Sequence, residues 1–185
     1  MVRREDIYRS IYGAWRLARH DAAGMGYFDV SAGGFVRSFV AIPLLAPFYL
    51  LLVLIENYST RALSRVLVVE GLSYVLIWLA FPLLMILMCR LLDLGAHYVP
   101  YIVAYNWAQV VLMGLWLPLS ILLVSGVLGR SLNAVATVAG FVAAYYYLWF
   151  ITRTALHTTT ATAFGIAVVE YLSGLLIHAL ITRAF

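Results

Sequence analysis

Two glutamates stand inside long apolar runs of a chain that has only eight acidic residues. Glu70 belongs to VVEGLS (68–73) and Glu170 to VVEYLS (168–173), 100 positions apart, with five of six residues identical. A carboxylate at the centre of a bilayer costs on the order of 2.5–3.5 kcal/mol on insertion scales, so such a group faces a bundle interior or a wet cavity and is paired or neutralised there. Glu170 lies near the middle of its run and bears nearly the whole cost. Glu70 lies about one turn inside the end of its run, where Arg61 and Arg65 can share its charge. Asn106 and Gln109 in a third run, and His178 beside Glu170, complete a polar set. A set of this kind fits a proton or cation path. The preferred reading is interhelical hydrogen-bond glue, worth about 0.6 kcal/mol per bond in one well-measured membrane bundle; contact with lipid headgroups or a partner is a further alternative.

Composition says what must position these residues. Hydrophobic residues make up 65% of the chain and charged residues 11%, with a mean hydropathy of +0.98, against about 45–50% and about 25% in soluble domains. The fold class expected is all-α, an integral membrane bundle. With about 20 residues per crossing, 185 residues leave no room for a separate soluble domain. The twelve basic residues are all arginine, which forks onto phosphates better than lysine does; nothing is basic enough to suggest nucleic acid. The single cysteine, Cys89, has no internal partner, and no CxxC or Cys/His cluster suggests a metal or cofactor. The first apolar run starts near residue 35, too late for a secretory signal.

Residues 1–34 are expected to form a cytoplasmic amphipathic helix and a Gly-rich connector. Ile7, Tyr8, Ile11, Tyr12, Trp15 and Ala18 recur at helical spacing on one face, with Arg9, Ser10, Gly13, Arg16 and His20 opposite and Leu17 the misfit. Such a helix lies among anionic headgroups, with Arg9, Ile11, Trp15, Arg16 and Arg19 as its surface contacts, or packs on a partner. Residues 35–185 hold five spans, at about 38–55, 66–88, 98–125, 131–152 and 159–182. Pro43 and Pro47 should bend the first. Loops are short, so sequence neighbours should be antiparallel neighbours.

Arginine counts set the orientation. With the N-terminus inside, eight arginines lie in the cytoplasm and four outside, which places the protein in a bacterial inner membrane with its C-terminus outside. Glu70 and His178 then share a depth near the outer face, and Gln109 lies at the depth of Glu170, with Asn106 a turn further in. In the fourth span Ala136, Gly140 and Ala144 form a small-xxx-small face that can hold the bundle together or make a homo-oligomer. Tyr145–Tyr147 with Trp149, and Tyr98 with Tyr101, read as aromatic belts; Trp78, near mid-span, reads as buried packing. No GxSxG, HExxH or P-loop is present, so no enzyme activity is expected. His20, His97 and His157 fall toward the cytoplasmic surface, where they weakly permit a metal.

The order of parts resembles the Yip1-domain family: a cytoplasmic N-terminal segment, five closely spaced helices and a short external C-terminus. The stretch LLDLGAHYVPYIVAYNWAQVVLMGLWLP (91–118) is similar to that family's third span, a Gly-containing loop leading into a helix with a small-aromatic-polar patch and a later proline. The family's DLxGP-type loop is reduced here to Asp93-Leu94-Gly95. The resemblance implies a role in organising membrane, or as an accessory subunit, through helix contacts with a membrane-protein partner. The alternative is a small transporter or ion-path protein using Glu170, Glu70, Gln109 and His178. Topology is testable at once: a reporter active only outside the cytoplasm should work at the C-terminus and fail ahead of the first span, and the reverse pattern overturns the orientation.

Overall fold

The computed structural model describes residues 3–57 and 62–184, and every regular element among them is helical. The helices are α1 (Arg4–Ala18), α2 (Ala32–Ser38), α3 (Ala41–Asn57), α4 (Leu63–Leu91), α5 (Tyr98–Val124), α6 (Arg130–Ala155) and α7 (Thr160–Ala184). Short 3-10 turns fill Ala22–Tyr27 and Gly95–His97. Five stretches are long and apolar enough to cross a membrane: Ala32–Asn57, Leu63–Leu91, Gly95–Val124, Arg130–Leu156 and Thr160–Ala184. The chain is a multi-pass membrane protein.

The first span differs from expectation in having a break. It starts at Ala32, inside the expected connector, and α2 ends at Ser38 before α3 begins at Ala41. Pro43 supplies the cause. Its ring excludes the carbonyl of the residue four before it, which is Phe39, and that carbonyl instead accepts the amide of Ile42 at 3.0 Å. The helix is interrupted one turn ahead of the proline. Pro47 is carried inside α3.

Three helices finish at the same end of the molecule, and each stops the same way. α1, α4 and α6 are followed by His20, Asp93 and His157, all with positive φ, and the amides of Asp21, Leu94 and Thr158 reach back to the carbonyls of Arg16, Cys89 and Arg153. These are Schellman stops built without glycine, on the residue types that tolerate the left-handed region best after it.

Around the bundle the neighbours run α3, α5, α6, α7, α4 and back to α3. Burial is concentrated at the end that carries α1, where Tyr101 to Ala108 of α5 are buried in succession. There α1 lies against α5 and α6. Its buried face is Ser10, Gly13, Ala14 and Leu17, so the residue that spoiled the amphipathic pattern is the one most deeply packed. Tyr8, Tyr12 and Trp15 point outward. Arg9 donates to the carbonyl of Gly26 at 3.2 Å, and Arg16 binds Asp21 and the Tyr27 hydroxyl, so both arginines fasten the 3-10 turn onto α1. The Arg16 guanidinium holds the Asp21 carboxyl below its ordinary range. Ser31, followed by Arg37, does the same for Asp29. Arg19 is exposed.

The turn sits so close to α1 that only hydrogen fits between them. A Cβ on Gly24 would stand 2.5 Å from the carbonyl oxygen of Gly13, a backbone atom that cannot swing away, whereas one on Gly26 meets nothing within 4 Å. Gly24→Ala should therefore cost about 1–3 kcal/mol, read as a lower thermal midpoint in detergent. Gly26→Ala should be neutral or slightly stabilising. Equal effects at the two positions would mean that the close crossing is absent.

Candidate functional site

Glu170 and Gln109 line one cavity of about 330 Å³ at the centre of the helix ring. All five long helices contribute to its wall, Leu45 and Tyr49 from α3, Trp78 from α4, Trp116 from α5, Ala144 from α6 and Glu170 from α7. Periodicity places them: Tyr74 and Trp78 are one turn apart on α4, and Gln109, Met113 and Trp116 follow one another up the inner face of α5. Glu170 is not held by a cation. The Tyr105 hydroxyl donates to its Oε1 at 2.5 Å, and Tyr105 is one turn before Gln109 on the same stripe. The other carboxylate oxygen is free to face the cavity or the smaller space of about 230 Å³ that Glu170 shares with Ile77, Phe81 and Tyr171 between α4 and α7.

Glu70 and His178 are brought together as expected, with His178 Nδ1 at 3.9 Å from Glu70 Oε1 and 3.4 Å from the Ser73 hydroxyl. Arg65 does not share the charge of Glu70; it donates to the Thr182 carbonyl at 3.3 Å. Arg61 lies outside the described residues. Glu70 is served instead by Tyr49, whose hydroxyl donates to Oε2 at 2.7 Å. Tyr49 therefore touches both carboxylates' surroundings, with its oxygen on Glu70 and its ring on the Glu170 cavity. Since α4 and α7 run antiparallel side by side, the contact of residue 70 with residue 178 sets the glutamates about eight residues apart in depth, roughly 12 Å along the helices.

Asn106 does not join this set. It is fully buried on the other face of α5, where its Nδ2 donates to Ser38 Oγ at 2.8 Å. The serine hydroxyl donates onward to the Phe35 carbonyl at 2.7 Å, and Asn106 Oδ1 has no partner. The contact fastens the end of α2 to the bundle.

The small-residue face of α6 works within the bundle. A Cβ on Gly140 would lie 2.6 Å from Leu119 Cδ2 and 3.0 Å from Trp116 Cζ3, Ala144 lines the cavity, and Ala136 is half-buried on the same stripe. The aromatic belts need correction. Tyr101 is in the core, against Phe81 of α4 and within reach of Thr152 of α6, and Tyr147 is buried under α1 with its hydroxyl donating to the Ala14 carbonyl at 2.7 Å. Tyr98 is tied to the Pro82 carbonyl at 3.1 Å, an acceptor at a proline-containing stretch of α4. Trp78 is buried, as its mid-span position suggested. His97 and His157 stand 4.8 Å apart, ring to ring, while His20 packs on Tyr146 and Phe150; among the described residues no group of three His, Cys, Asp or Glu forms a metal cluster.

Tyr105 and Tyr49 are the site residues that sequence reasoning missed. The signal for Tyr105 was present, since Tyr101, Tyr105 and Gln109 recur every four residues and make one stripe of α5. No family model, curated protein or solved structure matches the chain.

The Asn106 contact can be measured separately from the cavity. Ser38→Ala should cost about 1–3 kcal/mol by stranding a buried amide. In an Asn106→Leu background the same change should cost distinctly less, a coupling that a double-mutant cycle of thermal unfolding reads directly. Additive costs would show that the bond contributes nothing.

Proposed function

We propose that the protein is a non-enzymatic membrane protein of the small-transporter class, in which a ligand or ion occupies the ring cavity at Glu170. The observation that carries this reading is the pairing of a mid-span carboxylate with open space. Among the described residues Glu170 has a single donor, Tyr105, and it borders a cavity of about 330 Å³ that Gln109 also lines. A glutamate serving only to hold helices together needs its partner and nothing more. Glu70, His178 and Tyr49 lie between this cavity and the end of the molecule opposite α1, and extend the polar path there. At the other end α1, α2 and the buried stretch of α5 form a lid, which supports binding or alternating access over an open pore. The arginine distribution supports a bacterial inner membrane with that lid in the cytoplasm.

A second reading keeps the organising or accessory role that the Yip1-like order of helices implies. It is favoured by the outward Tyr8, Tyr12 and Trp15 of α1, which are 72%, 51% and 46% exposed and would meet anionic headgroups or a membrane partner.

Glu170→Gln separates the two. Glutamine can still accept from Tyr105, so thermal stability in detergent should stay within about 1 kcal/mol of the parent. A working carboxylate exchanges its proton, so the parent protein should bind about one proton more than the variant between roughly pH 10 and pH 4, counted by pH-stat titration. Identical proton counts would leave Glu170 as inert packing and favour the organising role.

A further inference from the structure

The walls of the Glu170 cavity are aromatic on both sides. On one side Tyr49 and Tyr74 lie 4.7 Å apart and Tyr74 lies 6.1 Å from Trp78; on the other Trp116 and Phe141 lie 4.9 Å apart. All five line the cavity. The two tyrosine hydroxyls on the first side are committed elsewhere, Tyr49 to Glu70 at 2.7 Å and Tyr74 to the Ile42 carbonyl at 2.6 Å. What these phenols offer the cavity is ring surface, already oriented.

Ring faces are negative and attract cations. A single carboxylate, Glu170, lies on the same cavity, and neither arginine nor histidine lines it. An anion would meet carboxylate and π faces with nothing to neutralise it. A bare metal ion would need several oxygen ligands, and beyond the two committed hydroxyls the lining supplies one carboxylate, one amide and the Tyr145 phenol. A neutral apolar molecule would fill the space but offer nothing to the carboxylate or the amide. One chemical class satisfies every wall: an organic cation, an ammonium group on a compact apolar body.

Building on the reading of Glu170 as a working site, we propose that the cavity binds an organic ammonium ion, with Glu170 as counter-charge, Gln109 as a polar neighbour and the two aromatic walls enclosing its apolar and N-methyl or N–H surface. The requirement is for positive charge and apolar bulk together. The lid formed by α1 and α2 closes the far side, so the ion enters by the end that carries Glu70 and His178 or between helices from the bilayer.

Benzyltrimethylammonium and its neutral isostere neopentylbenzene share shape and differ in charge, and neither titrates. Isothermal titration calorimetry of the full-length protein in nanodiscs of zwitterionic lipid should show saturable one-to-one binding of the cation, weakened at least about tenfold by Glu170→Gln. The isostere should bind more weakly than the cation and indifferently to that substitution. Trp116→Leu, which removes a ring and leaves the carboxylate, should also weaken the cation more than the isostere, and it serves if Glu170→Gln lowers the thermal midpoint. Equal affinity for the two probes, or cation binding unchanged in both variants, overturns the proposal. If the cation fails to bind while the Glu170-dependent proton is still counted, the ligand class is wrong and the working carboxylate stands; if both are missing, both fall.

Discussion

Hydrocarbon offers no water, so every polar group inside the bundle must be solvated by another part of the protein, and Glu170 is the group hardest to serve. Its answer comes from α5. The Tyr105 hydroxyl reaches it at 2.5 Å, a bond to a carboxylate of the kind worth about 1.5–3 kcal/mol when the acceptor is charged. That contact fixes how α7 stands against α5, across the full width of the ring. About two turns away the contacts of Glu70 and Ser73 with His178 fix α7 against α4. Two polar levels therefore determine the register of a helix whose remaining surface is largely apolar and faces outward. Apolar packing alone would be indifferent to a slide of one turn.

The same economy explains the uneven burial. At the end carrying α1, contacts are supplied by elements that are not spans at all: α1, the Ala22–Tyr27 turn and α2. Leu17 is fully buried beside Gly24 of the turn, Tyr147 returns a hydrogen bond to the α1 backbone, and Asn106 ties the end of α2 to α5. Ion pairs Arg16–Asp21 and Arg37–Asp29 pin the connecting segments. Toward the opposite end, among the described residues, the bracing comes from side chains of the spans themselves: Tyr49 to Glu70, Arg65 to the Thr182 carbonyl, Ser120 to Glu56 at 3.1 Å and Asn133 to the Leu123 carbonyl at 3.0 Å.

The spans were legible because the signal that defines them, a run of about 20 apolar residues, is the one a bilayer imposes. α4 to α7 begin and end within a few residues of where hydropathy and flanking arginines put them. The break at Phe39–Val40 was half legible: Pro43 announced a bend, and the rule that proline disrupts the carbonyl four residues earlier locates it. The face of α1 was legible only in part. Ile7, Ile11 and Ala18 of the expected apolar face do pack on the core, but Tyr8, Tyr12 and Trp15 do not; close packing on α5 favours small residues, and Gly13 and Ala14 beside Leu17 carry that requirement while scoring low in hydropathy. The polar pairing was legible where it depended on depth alone, as for Glu70 with His178. It failed where helix azimuth mattered, so Asn106, a single turn from Gln109's neighbourhood, faces the other way. Arg65 illustrates a third limit. Its length lets it choose among acceptors, and the nearest carboxylate in sequence lost to a carbonyl 117 residues away.

Space distinguishes a working carboxylate from a structural one. An apolar interior is packed nearly to crystal density, and residual voids cost about 24 cal/mol per Å³. The space of about 330 Å³ beside Glu170 departs from that density. Ala144 borders it on α6, while Gly140 one turn away is packed so closely on Leu119 and Trp116 that a Cβ would stand 2.6 Å from Leu119 Cδ2. The cavity keeps aromatic rings whose hydroxyls are tied back into the walls, an amide, and a carboxylate with one oxygen uncommitted. On the proposed reading an occupant completes this arrangement. The glutamate in the second VVE phrase is tolerated at mid-span because Tyr105 solvates it, and the proposed ligand would meet it in the space in front.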